Sequence, residues 1–197
     1  MICEWIAIPN RPPSINDTDF HCELPTVLND EPAQGKMNRN ARALENGPQP
    51  IQYHIVLSKI AIVVYQFRSK LRIRRWNLEE VARFVFTADD QLAMLINELP
   101  THLQNDEPQT PATIERDLKL PWIPWQRRHL TMAFLYFRIS VNRTLQSHWL
   151  EGSTQYARAR SICLSSAIAI IDSAVAAEMD FSRLRPWYAN RNCAILS

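Results

Sequence analysis

Apolar residues recur at helical spacing in four separate stretches of this chain. In 52–72, Val56, Ile60, Val63, Phe67 and Leu71 repeat at intervals of four and three, which is one face of a helix. Ile55, Ile62 and Tyr65 carry the apolar surface beyond a single stripe, as in a central helix packed on most sides. In the second stretch, Asn77 is an N-cap and Glu80, three residues on, completes a capping box. The helix it opens runs from 78 toward 99, with a break expected near 87–90. Leu92, Leu95, Ile96 and Leu99 form its later core face, and Pro100 stops it. The third stretch, 125–149, reads as one near-continuous helix. Leu130, Phe134, Phe137, Val141 and Leu145 make one face, and Met132, Leu135 and Ile139 make part of another. After Gly152, Ser153 or Thr154 caps a fourth helix to about 179. Its face is Cys163, Ala167, Ile170, Ala174 and Ala177, small side chains that let a neighbour approach closely.

Prolines punctuate the rest. Residues 11–25 form an extended acidic strap, with Pro12 and Pro13 at one end and Pro25 at the other, where fixed φ and missing donors exclude helix and central strand. Residues 26–50 and 100–124 read as long loops. Residues 1–8 are short and apolar, like the tail of a helix, and 183–187 begins a further element. No strand pattern or internal repeat emerges. The expected class is all-α: an irregular helical array with long proline-rich connections, in a single domain over 1–197.

Composition narrows the function. The chain has 197 residues, 46% hydrophobic and 21% charged, in the range of a globular protein. A net charge of +2 is too small to imply nucleic-acid or membrane binding. The only glycines, Gly35, Gly47 and Gly152, are too dispersed for a dinucleotide fingerprint, a P-loop or a nucleophile elbow. Cys3, Cys22, Cys163 and Cys193 form no C-x-x-C pair, so they read as reduced thiols. The first ten residues lack a basic n-region, and no apolar run reaches membrane-spanning length.

Candidate chemistry is sparse. Arg68, Lys70, Arg72, Arg74 and Arg75, beside Trp76, could be a basic patch for nucleic acid, but they suit a solvated helix terminus better, where cations complement the dipole. His21 and Cys22 are adjacent and diverge. His54, His102, His129 and His148 are scattered, so the histidines read as structural. Asp89 and Asp90 resemble the start of an aspartate-rich magnesium motif, but Ala93 and Met94 stand where a further carboxylate is needed. Phe134, Tyr136 and Phe137 could line a ligand pocket, although core packing is the commoner use. No catalytic residue, cofactor site or metal site is expected.

The strap carries a resemblance. Arg11, Pro12, Ile15, Asp17, Asp19, Leu24 and Pro25 match a segment of the regulatory region of fungal zinc-cluster transcription factors, with Asn10 where the family has glycine. Glu98-Leu99-Pro100 resembles that region's helix stop. Asn142-Arg143-Thr144 stands at its histidine-arginine-proline triplet, with Arg143 retained. Cys163 and Ala167 resemble its C-x-x-A-A helix, with Ser166 replacing one alanine. Arg185-Pro186-Trp187 resembles the start of its next long helix. The matches span about residues 5–190, in the family's order, and cover the later half of its region. The resemblance implies a truncated regulatory domain without the six-cysteine DNA-binding cluster. It implies a nuclear protein that controls fungal metabolic genes through a protein of the transcription machinery, a related full-length factor or a small effector, and does not read DNA directly. The alternatives are a remnant without independent function and, as a third class, a small all-α enzyme; without the resemblance the expected location is cytoplasmic. Asp17, Asp19 and Glu23 are expected to cap helix ends or pair with arginines.

Overall fold

A computed structural model describes residues 47–73 and 75–178, with Leu24 besides. Leu24 is exposed. The other strap residues (Arg11, Pro12, Ile15, Asp17, Asp19 and Pro25), as well as Arg74 and Arg185-Pro186-Trp187, lie outside the described residues. Within them the protein is all-α, with no strand.

The elements are α1 (Pro50–Ile73), α2 (Leu78–Asn97), α3 (Pro111–Lys119), α4 (Trp122–Asn142), α5 (Gln146–Leu150) and α6 (Ala157–Glu178). Single 3-10 turns precede or follow them at Thr101–Leu103, Arg143–Leu145 and Thr154–Tyr156. The hub is α4, which packs against α1, α2, α3 and α6. The sequence pattern pointed instead to α1 as the central helix. There Tyr53, Val56, Ile60, Val64 and Phe67 are buried against α2 and α4, while Ile62 remains 45% exposed and Val63 is half-buried. Burial by two neighbours leaves α1 a solvent face, because each neighbour covers one stripe of about 100°.

Capping decides where several helices start. Asn77 is extended, and its side chain accepts from the Glu80 amide at 2.8 Å. The Glu80 carboxylate in turn accepts from the Asn77 amide at 3.3 Å, completing the expected box. Asn77→Ala is expected to cost about 1 kcal/mol of unfolding free energy, measured by denaturant titration. Thr110 and Thr113 form a second box with Pro111 in the first turn, where its missing N–H is harmless.

Three expectations need correction. First, 100–124 is not a bare loop: it holds the Thr101–Leu103 turn, α3 and the start of α4, because Thr110 and Pro111 nucleate a helix among the prolines. Second, α2 is unbroken at 87–90. The Thr87 hydroxyl donates to the Arg83 carbonyl at 2.8 Å, and Asp89 finds partners on other helices. Third, the helix expected over 125–149 ends at Asn142 and resumes as α5. The Asn142 amide donates to the Arg138 carbonyl at 2.9 Å, a side-chain bond that competes with the helical ladder. After α5, Gly152 turns the chain at φ +92°, a conformation that favours glycine.

The core joins α1, α2 and α4, with Tyr156 and Ala159 from the start of the last segment. On α4 the buried face is Leu130, Phe134, Phe137, Val141 and, past its end, Leu145, as the periodicity requires. On α6 the buried residues are Ala159, Cys163 and Ser166; Ala167 and Ile170 are half-buried and Ala174 is exposed. The helix is therefore turned from its expected face toward Ser166. A contact on that side is the Arg128 guanidinium donating to the Ser173 carbonyl at 2.7 Å.

Candidate functional site

Charged residues buried at helix junctions are costly unless paired, so they are the first place to look for function. Asp89 is fully buried on α2, in phase with Val85 and Leu92 of the core. Arg138 of α4 holds it with two bonds, Nε at 2.8 Å and Nη2 at 3.1 Å. The Asn142 amide donates to the same carboxylate at 3.1 Å. From α6, Arg158 lies 3.6 Å from Asp89, pairs with Asp90, and spreads its guanidinium 5.1 Å from the Phe86 ring centroid. The node thus ties α2, α4 and α6 together. The bonds to Asp89 hold the Arg138 pKa above its ordinary value.

A second node fastens the 100–124 connection to α4. Glu107 accepts two bonds from Arg116, at 2.7 and 2.6 Å, and one from Arg127 at 2.6 Å. Asp117 contacts both arginines, at 2.6 and 3.2 Å. The bond from Arg116 holds the Glu107 carboxyl below its ordinary range. Arg127 also donates to the His102 carbonyl at 3.1 Å. The His102 ring is buried and meets Trp122 edge-on. Burial, with Arg116 and Arg127 nearby, pushes its pKa down to about 4.

The carboxylates of both nodes are held by arginines. In each, two carboxylates meet two arginines, so the charges balance internally. Asp89 and Asp90 are consumed by arginines, and among the described residues no group of three or more His, Cys, Asp or Glu side chains is placed to hold a metal ion. A shallow depression of about 400 Å³ lies over α3, lined by Ala112, Glu115, Arg116, Lys119 and Leu120. Its Lys119 and Glu115 pair with each other at 2.7 Å.

The other candidate residues disperse. Phe134 and Phe137 are core, and Tyr136 is exposed. Arg68 is half-buried, its guanidinium 3.5 Å from the Ser140 hydroxyl, and burial lowers its pKa. Lys70 sits 5.9 Å from the centroid of the Phe84 ring, which Trp76 meets edge-on. The Trp76 indole donates to the Lys70 carbonyl at 2.7 Å and closes the end of α1. Arg72 and Arg75 remain exposed. His129 stacks on Trp125 and contacts the Tyr53 hydroxyl at 2.7 Å. Arg143 is exposed and donates to Gln146 at 3.2 Å. Cys163 is buried, its sulfur 3.8 Å from the Ile139 carbonyl, and burial raises its pKa. Such a thiol is inert packing.

The Asp89–Arg138–Asn142 node is the group that motif spacing missed. Its signal was phase: a carboxylate four residues after Val85 and three before Leu92 falls on the core stripe and requires a buried cation. No helix among the described residues is long and apolar enough to cross a membrane. No family model, curated protein or solved structure matches the chain.

Proposed function

We propose that this chain is a transcription-regulator-like protein that acts in the nucleus by binding a protein partner or a small effector, without catalysis and without direct DNA reading. The observation that carries the reading is the order of matches from Arg11-Pro12 in the strap, through Leu99-Pro100, Arg143 and Cys163, to Arg185-Pro186-Trp187. The helical architecture is compatible with such a regulatory domain. Support for indirect action comes from the basic run. Arg68 turns inward toward Ser140, while Lys70, Arg72 and Arg75 stay exposed at the end of α1, where cations complement the helix dipole. The acidic pair Asp89 and Asp90 is held by arginines, which suits a structural role.

The test pairs localisation with transcription. A fluorescently tagged chain is expected in the nucleus, and its deletion is expected to change transcript levels of a set of metabolic genes. In a mobility-shift assay at physiological salt the purified chain is expected to leave DNA unshifted. A cytoplasmic chain with an unchanged transcriptome, or tight sequence-selective DNA binding, would overturn the reading. The second reading, a remnant without function, is favoured by the apolar side chains left exposed on α1, Ile62 and Ile73. A non-cooperative thermal melt would support that alternative.

A further inference from the structure

The arginines set into the helix junctions are matched to strong acceptors almost everywhere. Arg116 and Arg127 donate to Glu107, Arg138 to Asp89, and Arg128 to the Ser173 carbonyl. All four are buried or half-buried, as a desolvated cation with an acceptor can be. Arg68 is half-buried as well, where α1 packs on α4, but its Nη2 donates to the Ser140 hydroxyl at 3.5 Å. That is the long limit of a hydrogen bond, and its acceptor is neutral. Among the described residues no carboxylate stands within ion-pair distance of this guanidinium, which carries five N–H donors. Burial lowers the Arg68 pKa most, and the opposing influence is the Tyr136 phenol, not a carboxylate.

The helix dipole does not account for Arg68. Lys70 and Arg72 lie in the last turn of α1, and Arg68 comes before it. Arg72 stands four residues on, exposed along the same edge, and it too lowers the Arg68 pKa. Like charges at this spacing repel, unless an anion lies between them. Across the seam on α4, Tyr136 stands one turn before Ser140 and is 44% exposed. The mouth of the seam thus gathers two guanidiniums and two hydroxyls, all able to donate. A ligand that satisfies them offers only acceptors and close to two negative charges.

We propose that this seam binds the phosphate group of a small molecule as a dianion. The Arg68 fork supplies two parallel N–H bonds to two phosphate oxygens. Arg72 balances the second charge, and the Ser140 and Tyr136 hydroxyls donate to the oxygens that remain. A carboxylate would be taken up by Arg68 alone and leave the other three groups unused. A nucleic-acid backbone fits less well, because two arginines engage one phosphate, whereas duplex binding rests on neutralising a row of them. This inference rests on the seam of α1 and α4 and stands apart from the transcription-regulator reading.

Titration of the full chain with inorganic phosphate, followed through the arginine Nε–H signals in NMR, tests it. The Arg68 and Arg72 signals are expected to shift and saturate. Phenyl phosphate is expected to act likewise, and acetate at equal ionic strength to leave them unmoved. Arg68→Gln is expected to weaken phosphate binding about ten- to a hundredfold, through loss of charge-assisted hydrogen bonds, and Ser140→Ala about two- to tenfold. Arg68→Lys, which keeps the charge without the fork, should fall between Arg68→Gln and the parent. Unchanged far-UV circular dichroism confirms that each variant is folded. Absence of a saturable shift in the parent overturns the proposal, and this titration needs no variant. It is equally overturned by phosphate binding that survives Arg68→Gln, or by acetate acting as strongly as phosphate.

Discussion

Replacing Asp89 with alanine is expected to lower the unfolding free energy by about 3–5 kcal/mol, the cost of breaking a buried ion pair from one side. The carboxylate is fully buried and accepts from both Arg138 and Asn142. Without it, Arg138 is left half-buried without its hydrogen-bonded counter-charge, and Asn142, itself fully buried, loses an acceptor for its amide. The Asn142 carbonyl oxygen already lacks a partner, so little remains to satisfy that side chain. Because the node joins α2, α4 and α6, a melting temperature about 10 °C lower is the expected signature. Asp89→Asn should fall between the parent and alanine, because it keeps an acceptor but loses the charge. The double replacement Asp89→Leu with Arg138→Met should recover part of the loss, since a matched apolar pair leaves no unpaired charge, while Asn142 still lacks that acceptor. Equal stability of Asp89→Ala and the parent in urea titration would contradict this assignment.

The second large effect is a loss of stability on mild acidification, caused by His102. Its folded pKa is pushed down to about 4, while an unfolded imidazole takes up a proton near 6.5. Between these values the unfolded chain binds the extra proton and the folded chain does not. Stability is therefore full above about pH 6.5 and declines as the pH falls toward 4, by roughly 3 kcal/mol in all. Glu107 adds to this at lower pH. Its folded pKa is depressed, so its contribution holds above the ordinary carboxylate pKa and is lost as the pH falls through the folded value. Denaturant unfolding at a series of pH values should show the slope, and His102→Phe should flatten it between pH 6.5 and 4. An imidazole titration followed by NMR offers a check that needs no variant: a midpoint near 6.5 in the folded chain would refute the account.

Both effects arise where charge is buried, and neither depends on what the protein does in a cell. They define the parts of α2, α4 and the 100–124 connection that must survive before any binding experiment is interpretable. The outer side of α6 is the opposite case: its large aliphatic side chains are 50–63% exposed, so changing them should leave folding intact.

What the sequence by itself determined was local. The repeat of Leu130, Phe134, Phe137, Val141 and Leu145 marked the buried face of α4, because side chains four and three residues apart share one side of a helix. The Asn77–Glu80 box marked the start of α2, because its two bonds lie within a single turn. The all-α class followed from these patterns. What only the tertiary structure decided was relation between helices. Periodicity reports that a helix has an apolar stripe, and not which neighbour covers it. It therefore assigned the central place to α1 when α4 holds it, and centred the α6 face on Cys163, Ala167 and Ile170 when burial is deepest at Ala159, Cys163 and Ser166. The node of Asp89, Arg138 and Asn142 was equally out of reach. Its residues are separated by 49 and 53 positions along the chain, and only the packing of α2 on α4 brings their polar atoms within hydrogen-bond distance.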